Sequence, residues 1–166
     1  MNIRINNKDE DRFFIGLYEF TRLPKCNGMI PMVSTRYITD RVFGDNANLA
    51  ESDVLQYLER YMLPVIEESV GAENLAEFET DLTNYNGDDS YGFVKSKISL
   101  PTFQFYLDNR AALDKGCDYF WWTATPFNTN GGVVCVSPYE REYSKNCGYF
   151  NGIRPMIMLK ESAINL

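Results

Sequence analysis

The stretch Tyr119-Phe-Trp-Trp-Thr-Ala-Thr-Pro126, followed closely by Gly131-Gly-Val-Val-Cys-Val136, decides how the fold is read. Aromatic and β-branched residues fill short runs, and Asn- and Gly-rich segments separate them, which is the pattern of strands joined by tight turns. Gly148-Tyr-Phe150 and Met156-Ile-Met-Leu159 continue it, and the intervening pieces NTNGG, YEREYSKN and NGIRP are rich in turn formers. The last third therefore predicts a small, twisted, loop-rich antiparallel sheet. Because Trp121 and Trp122 are adjacent, strand alternation sends their side chains to opposite faces. One indole packs in the core, and the other lies either under loops or in an exposed aromatic patch.

Upstream the pattern changes. Asn48-Leu-Ala-Glu51 has the form of a capping box. After it, Val54, Leu55, Leu58, Tyr61, Met62, Val65 and Ile66 recur at three- and four-residue spacing, one buried face of a helix. This helix starts at about Ser52; Pro64 bends or splits it, and Gly71 ends it. The tract DLTNYNGDDSYG, Asp81 to Gly92, is a surface loop, and Phe93 to Leu100 a strand. Thr102 caps a second helix that buries Phe105, Tyr106, Leu107 and Leu113 and stops at Gly116. Nearer the start, Ile3 to Asn7, Phe13 to Phe20 and Met29 to Ile38 read as strands. The expectation is an α+β single domain, residues 1–166, with two main helices packed on a twisted antiparallel sheet built largely from residues after Tyr119.

The formal charge of −7, from 23 acidic and 16 basic residues, argues against nucleic acid and anionic lipid as partners. It suits a basic protein partner, or simply solubility. No window is apolar enough for a membrane span, and Met1 to Arg12 lacks the apolar core of a signal peptide. The expected location is cytoplasmic, host cytoplasm for a phage-encoded chain, or a phage particle released by lysis. Cys26, Cys117, Cys135 and Cys147 are widely spaced and read as free thiols, with Cys135–Cys147 the pairing to consider if they fall on neighbouring strands.

Catalytic patterns are missing. The chain has no histidine, so the usual base of serine and cysteine hydrolases and the HExxH zinc site are excluded. Neither GxxxxGK[ST] nor GxGxxG occurs, and Gly131-Gly132 reads as a β-turn. Glu67/Glu68 and Asp88/Asp89 read as solvated faces. The Asp81–Asp89 loop supplies oxygen ligands suited to calcium but not the regular spacing of an EF-hand, so no metal or other cofactor is expected. These features together predict a chain that is not an enzyme.

Trp121-Trp-Thr-Ala-Thr-Pro126 resembles the WWLRSP signature of an uncharacterised domain family found in Firmicutes, their phages and secreted bacterial proteins. Gly152-Ile-Arg-Pro-Met156 resembles that family's closing G-[VI]-R-P-[AM] motif, with a glycine-rich turn at Gly131 and an apolar strand at Ile157 to Leu159. Leu100-Pro-Thr102, the Val54–Met62 helix and the Met32–Ile38 strand are similar more loosely, so the likeness spans roughly residues 29–160. The resemblance implies a variant of the C-type-lectin-like fold. It departs at Thr123 and Ala124, where the family signature has Leu and Arg. Arg154 keeps the motif arginine, and Pro155 holds the chain beside it. Arg154 is expected to bridge loop carbonyls and a carboxylate from a buried position.

The functional expectation is a non-catalytic binding module of phage or bacterial origin that recognises a protein or a surface glycan. The alternative is a small acidic phage-encoded inhibitor of a host defence protein, similar to an anti-CRISPR. The expected binding surface is the pair of loops around the C-terminal sheet: Thr123, Ala124, Phe127, Asn128, Asn130, Tyr139, Glu140, Glu142 and Tyr143. Tyrosines there supply contact area at little entropic cost. Trp121, Trp122, Pro126, Gly152, Arg154 and Pro155 are expected to be structural.

Overall fold

The computed structural model describes residues 3–6, 9–139 and 143–164. Ser52 caps the principal helix: its side chain accepts the Leu55 N–H at 3.0 Å. From there α1 (Asp53–Tyr57), a π-helical turn (Leu58–Met62) and α2 (Leu63–Val70) run on as one rod of 18 residues. The π-turn is the answer to Pro64. An α-helix would press the proline ring against the carbonyl four residues back. Here the Leu63 N–H instead reaches the Leu58 carbonyl five residues back, which widens the turn and carries the helix through the proline. Gly71, at φ 87, ends it.

The second main helix expected from Thr102 is not continuous. Thr102 does cap α3 (Phe103–Asp108), but α3 stops at Asn109, and α4 (Arg110–Asp114) is a separate piece. Asn109 leaves helical geometry, at φ −122 and ψ 22, while its side-chain amide donates to the Phe105 carbonyl at 2.9 Å. A short polar side chain here competes for the carbonyl that helix continuation needs. There is one main helix, not two.

The sheets also differ from expectation. The largest has six strands: β1 (Ile3–Asn6), β2 (Asp9–Ile15), β3 (Tyr18–Arg22) and β4 (Met29–Ser34), then β13 (Met156–Lys160) and β8 (Ile98–Ser99). Four of its strands precede residue 35, so the main sheet is not built from the chain after Tyr119. A five-stranded sheet runs in the order β11 (Tyr143–Asn146), β10 (Gly132–Val136), β9 (Trp121–Pro126), β12 (Phe150–Gly152) and β5 (Asp40–Val42). Its β12–β9 contact is parallel, Gly152 opposite Trp121. β6 (Phe78–Asp81) and β7 (Phe93–Ser96) form a separate pair. The C-type-lectin-like arrangement of two helices on one antiparallel sheet is thereby corrected to an α+β domain with one main helix and mixed sheets.

All six residues of β9 are buried. Trp122 joins the large core with Phe43, Leu58, Ile66 and Ile157, while Trp121 joins a second core with Val33, Tyr106 and Met156. The two indoles do point opposite ways, and both faces are covered. No described helix is long and apolar enough to cross a membrane.

The four cysteines are free thiols. Cys135 faces Tyr143 across β10 and β11, whereas the Cys147 N–H bonds to the Gly131 carbonyl. The two cysteines thus sit four positions apart along the ladder, roughly 13 Å at strand rise, beyond disulfide reach. Burial pushes the Cys135 thiol up to about 12, while Cys26 is exposed. Ellman titration at pH 8 is expected to modify Cys26 quickly and leave Cys135 unreacted, because the thiolate is the nucleophile. Denatured, unreduced protein should give four thiols, and a count of two would overturn the assignment.

Candidate functional site

Around the N-terminal end of β9, aromatic rings make a continuous surface. Tyr37 and Tyr119 stack with centroids 4.2 Å apart. Tyr119 meets Phe120 at 6.1 Å, and Phe120 meets Tyr139 at 6.4 Å and Tyr143 at 5.7 Å. Tyr139 is 86% exposed and Phe120 37%. Phe150 is 66% exposed and precedes Gly152 by two residues on β12, so it shares that residue's face. Gly152 lies beneath the stack: a Cβ there would sit 2.6 Å from the Phe120 carbonyl oxygen and 2.9 Å from the Tyr37 Cβ.

Polar anchors fix the rings. The Tyr119 hydroxyl donates to the Asp40 carboxylate at 3.0 Å, and this bond raises the phenol above its ordinary pKa. The Asn151 amide donates to the Tyr143 hydroxyl at 3.2 Å, and burial raises that phenol's pKa as well. On β5 the Arg41 guanidinium lies 4.2 Å over the Tyr57 ring, and the Trp122 indole N–H donates to the Arg41 carbonyl. The Arg41 Nε is buried without a hydrogen-bond partner, the only such side-chain atom among the described residues. Beside it, Asp40, Arg41, Val42, Asp53 and Phe150 line a hollow of about 190 Å³. An orphaned buried donor costs about 1–3 kcal/mol.

The residues expected at the binding surface fall into three groups. Thr123 and Ala124 are fully buried in β9. The Thr123 hydroxyl donates to the Val134 carbonyl at 2.7 Å, and Ala124 packs in the large core, so neither offers surface to a partner. Phe127, Asn128 and Asn130 are at the far end of β9. Phe127 stacks on Tyr85 at 5.5 Å, and the Asn128 side-chain oxygen accepts the Asn130 and Gly132 N–H groups, shaping the turn. Tyr139 and Tyr143 belong to the aromatic surface. Glu140 and Glu142 lie outside the described residues. The structure thus splits the expected surface between the two ends of one buried strand.

The residues expected to be structural are all buried: Trp121, Trp122, Pro126, Gly152, Arg154 and Pro155. Arg154 is fully buried and donates to three main-chain carbonyls, Ser34 at 2.9 Å, Leu113 at 2.8 Å and Thr35 at 3.1 Å. Its guanidinium lies 4.8 Å over the Trp121 ring. Among the described residues no carboxylate forms an ion pair with it, which corrects the carboxylate partner expected from sequence.

Sequence reasoning missed Tyr37, Asp40, Arg41, Phe120 and Phe150. Phe120 and Phe150 carried a usable signal, a large ring at the very end of a strand, whereas Tyr37 to Arg41 enter only through the distant pairing of β5 with β12. In the Asp81–Asp89 loop, oxygens of Asp81, Asn84 and Asp88 accept from backbone N–H groups within the loop. Among the described residues no group of three or more carboxylate or thiol side chains is placed to hold a metal ion.

Gly152→Ala is expected to cost about 2 kcal/mol, the price of overpacking against backbone. Because the displaced atoms belong to Phe120 and Tyr37, near-ultraviolet dichroism of the tyrosines should change along with the urea midpoint. An unchanged spectrum with full stability would show that the stack does not rest on this glycine.

Comparison with protein-family models, with curated proteins and with solved structures finds no match to the chain.

Proposed function

We propose that the chain is a non-catalytic binding module that recognises a protein partner through the aromatic surface around Phe120. The observation that carries this is the ring network Tyr37–Tyr119–Phe120–Tyr139, continuous over the end of β9 and partly open to solvent. Tyrosine and phenylalanine are enriched where proteins meet, and rigid rings bury area at low entropic cost. The formal charge of −7 favours a basic partner, steered to the surface at low salt. The lack of histidine and of phosphate-binding glycine motifs supports binding over catalysis. A small acidic inhibitor of a host protein would be a special case of this chemistry.

The test compares the wild-type chain with Phe120→Ala, Tyr139→Ala and Phe150→Ala as immobilised baits in lysate of the native host. A retained protein is identified by mass spectrometry and its affinity measured with purified components. At least one substitution should cost about 1 kcal/mol or more, a loss of roughly fivefold, with the fold intact by circular dichroism. If all three bind like wild type while Tyr61→Ala or Glu68→Lys on the long helix abolishes binding, the helical face is the working surface.

A further inference from the structure

At the other end of β9 from the aromatic surface is an open cleft of about 440 Å³, between the loop that begins at Asp81 and the start of α3. Its volume is in the range of small-molecule sites. Tyr85 and Phe103 form its aromatic wall, with centroids 6.3 Å apart. The loop is held in place: the Tyr85 N–H bonds to the Pro126 carbonyl at 2.8 Å, and the Asn84 side-chain oxygen accepts the Asn86 and Asp88 N–H groups. The Asn84 amide therefore has its oxygen occupied and its NH2 donors without an acceptor among the described residues. Asp81 contributes a carboxylate, Gln104 an amide and Thr125 a hydroxyl, and no lysine or arginine lines the cleft.

A second hollow of about 230 Å³ continues from the first, sharing Asp81 and Thr102 with it. Its chemistry is different. Phe105, Met156 and Met158 make it apolar, and methionine adapts to irregular apolar shapes. The pair is a cleft of mixed polar and aromatic lining running into an apolar groove.

We propose that this compound cleft binds a neutral sugar bearing an apolar aglycone. Asp81 Oδ1 already accepts from the Thr83 N–H at 2.9 Å and the Thr83 hydroxyl at 2.6 Å, which leaves Oδ2 for a ligand. The hydroxyls of a sugar both donate and accept, so they can meet Asp81 Oδ2 and the Asn84 NH2 donors, as an apolar ligand cannot. The C–H face of the ring presents positive hydrogens to the negative face of Tyr85. An anionic ligand would meet Asp81 with no cation to offset the repulsion. The aglycone lies along Met158 and binds more tightly with each methylene it buries. This site is separate from the aromatic surface around Phe120 and stands or falls independently of it.

The probes are methyl and octyl β-glucoside, galactoside and mannoside, the octyl forms kept below their micelle concentration, with methyl glucuronide and glucosamine as charged controls. Binding is read by saturation-transfer NMR and tyrosine fluorescence. At least one octyl glycoside should bind saturably and at least tenfold more tightly than its methyl counterpart. Tyr85→Ala should weaken it tenfold or more, Met158→Gln should remove most of the octyl advantage, and Phe120→Ala should change nothing. If Tyr85→Ala does not fold, Gln104→Leu on the exposed first turn of α3 serves in its place, with a loss of at least threefold expected. No saturable binding, binding of the charged controls alone, or binding lost in Phe120→Ala but kept in Tyr85→Ala or Gln104→Leu would overturn the proposal.

Discussion

Replacing Arg154 by alanine is expected to lower the free energy of unfolding by about 4 kcal/mol, because it removes three charge-assisted hydrogen bonds and leaves their buried acceptors unmet. The side chain ties three parts of the chain together: Ser34 and Thr35 at the end of β4, Leu113 in α4, and its own position before β13. Each bond is charge-assisted, and removal strands three carbonyls where water does not reach. Burial opposes the charged form, so the carbonyls and the Trp121 face must offset a real desolvation cost. Lysine offers one ammonium in place of a planar fork and cannot reach three carbonyls fanned around a guanidinium. Arg154→Lys should therefore still lose about 2 kcal/mol. Urea melts of both variants decide the matter. A loss below about 0.5 kcal/mol for alanine would mean that the three segments hold together without the clamp.

That Arg154 is a clamp was legible from the proline beside it and the buried strand after it, but its partners were not. They come from residues 34, 35 and 113, and nothing local encodes that meeting. The same division runs through the fold. The start of the long helix follows from Ser52 and the apolar spacing, both local signals, whereas Asn48 caps only the 3-10 turn Leu49–Glu51 before it, and Tyr61 and Val65 of that spacing are exposed. Its passage through Pro64 depends on a shift of hydrogen-bond register that side-chain spacing does not record. The break at Asn109 had a signal, an asparagine followed by Arg-Ala-Ala, but capping and continuation are close in energy and tertiary packing chooses between them. The six-stranded sheet was underweighted because β13 reaches back past more than 120 residues to lie between β4 and β8.

The candidate site divides in the same way. Tyr139 follows from composition alone, a ring beside a proline in a polar turn. Thr123 and Ala124 offer no surface because β9 is central, with neighbours on both sides and a core on each face, so the side chains there set packing. Their small side chains fit that position: Thr123 closes a hydrogen bond to β10, and Ala124 lets the Pro101 carbonyl approach its N–H at 2.8 Å.

Trp122→Ala is expected to cost about 4 kcal/mol, in the upper range for emptying an aromatic site in a core. The indole is fully buried, meets Phe43 edge-on at 5.5 Å and donates to the Arg41 carbonyl at 2.9 Å. It is therefore both core filler and the strut that fixes β5. Asp40, which holds the Tyr119 hydroxyl, and Arg41, which caps Tyr57, both depend on that strand. Trp122→Phe separates the two roles. It keeps most of the ring but leaves the Arg41 carbonyl without its donor, for a loss of about 1–2 kcal/mol. In that variant the raised Tyr119 pKa is the informative readout, followed by ultraviolet titration of the phenols. If β5 shifts, the Asp40 bond weakens and the Tyr119 phenol titrates closer to its ordinary value while the domain stays folded. An unchanged titration in Trp122→Phe would show that β12 alone positions β5, and that the tryptophan serves packing only.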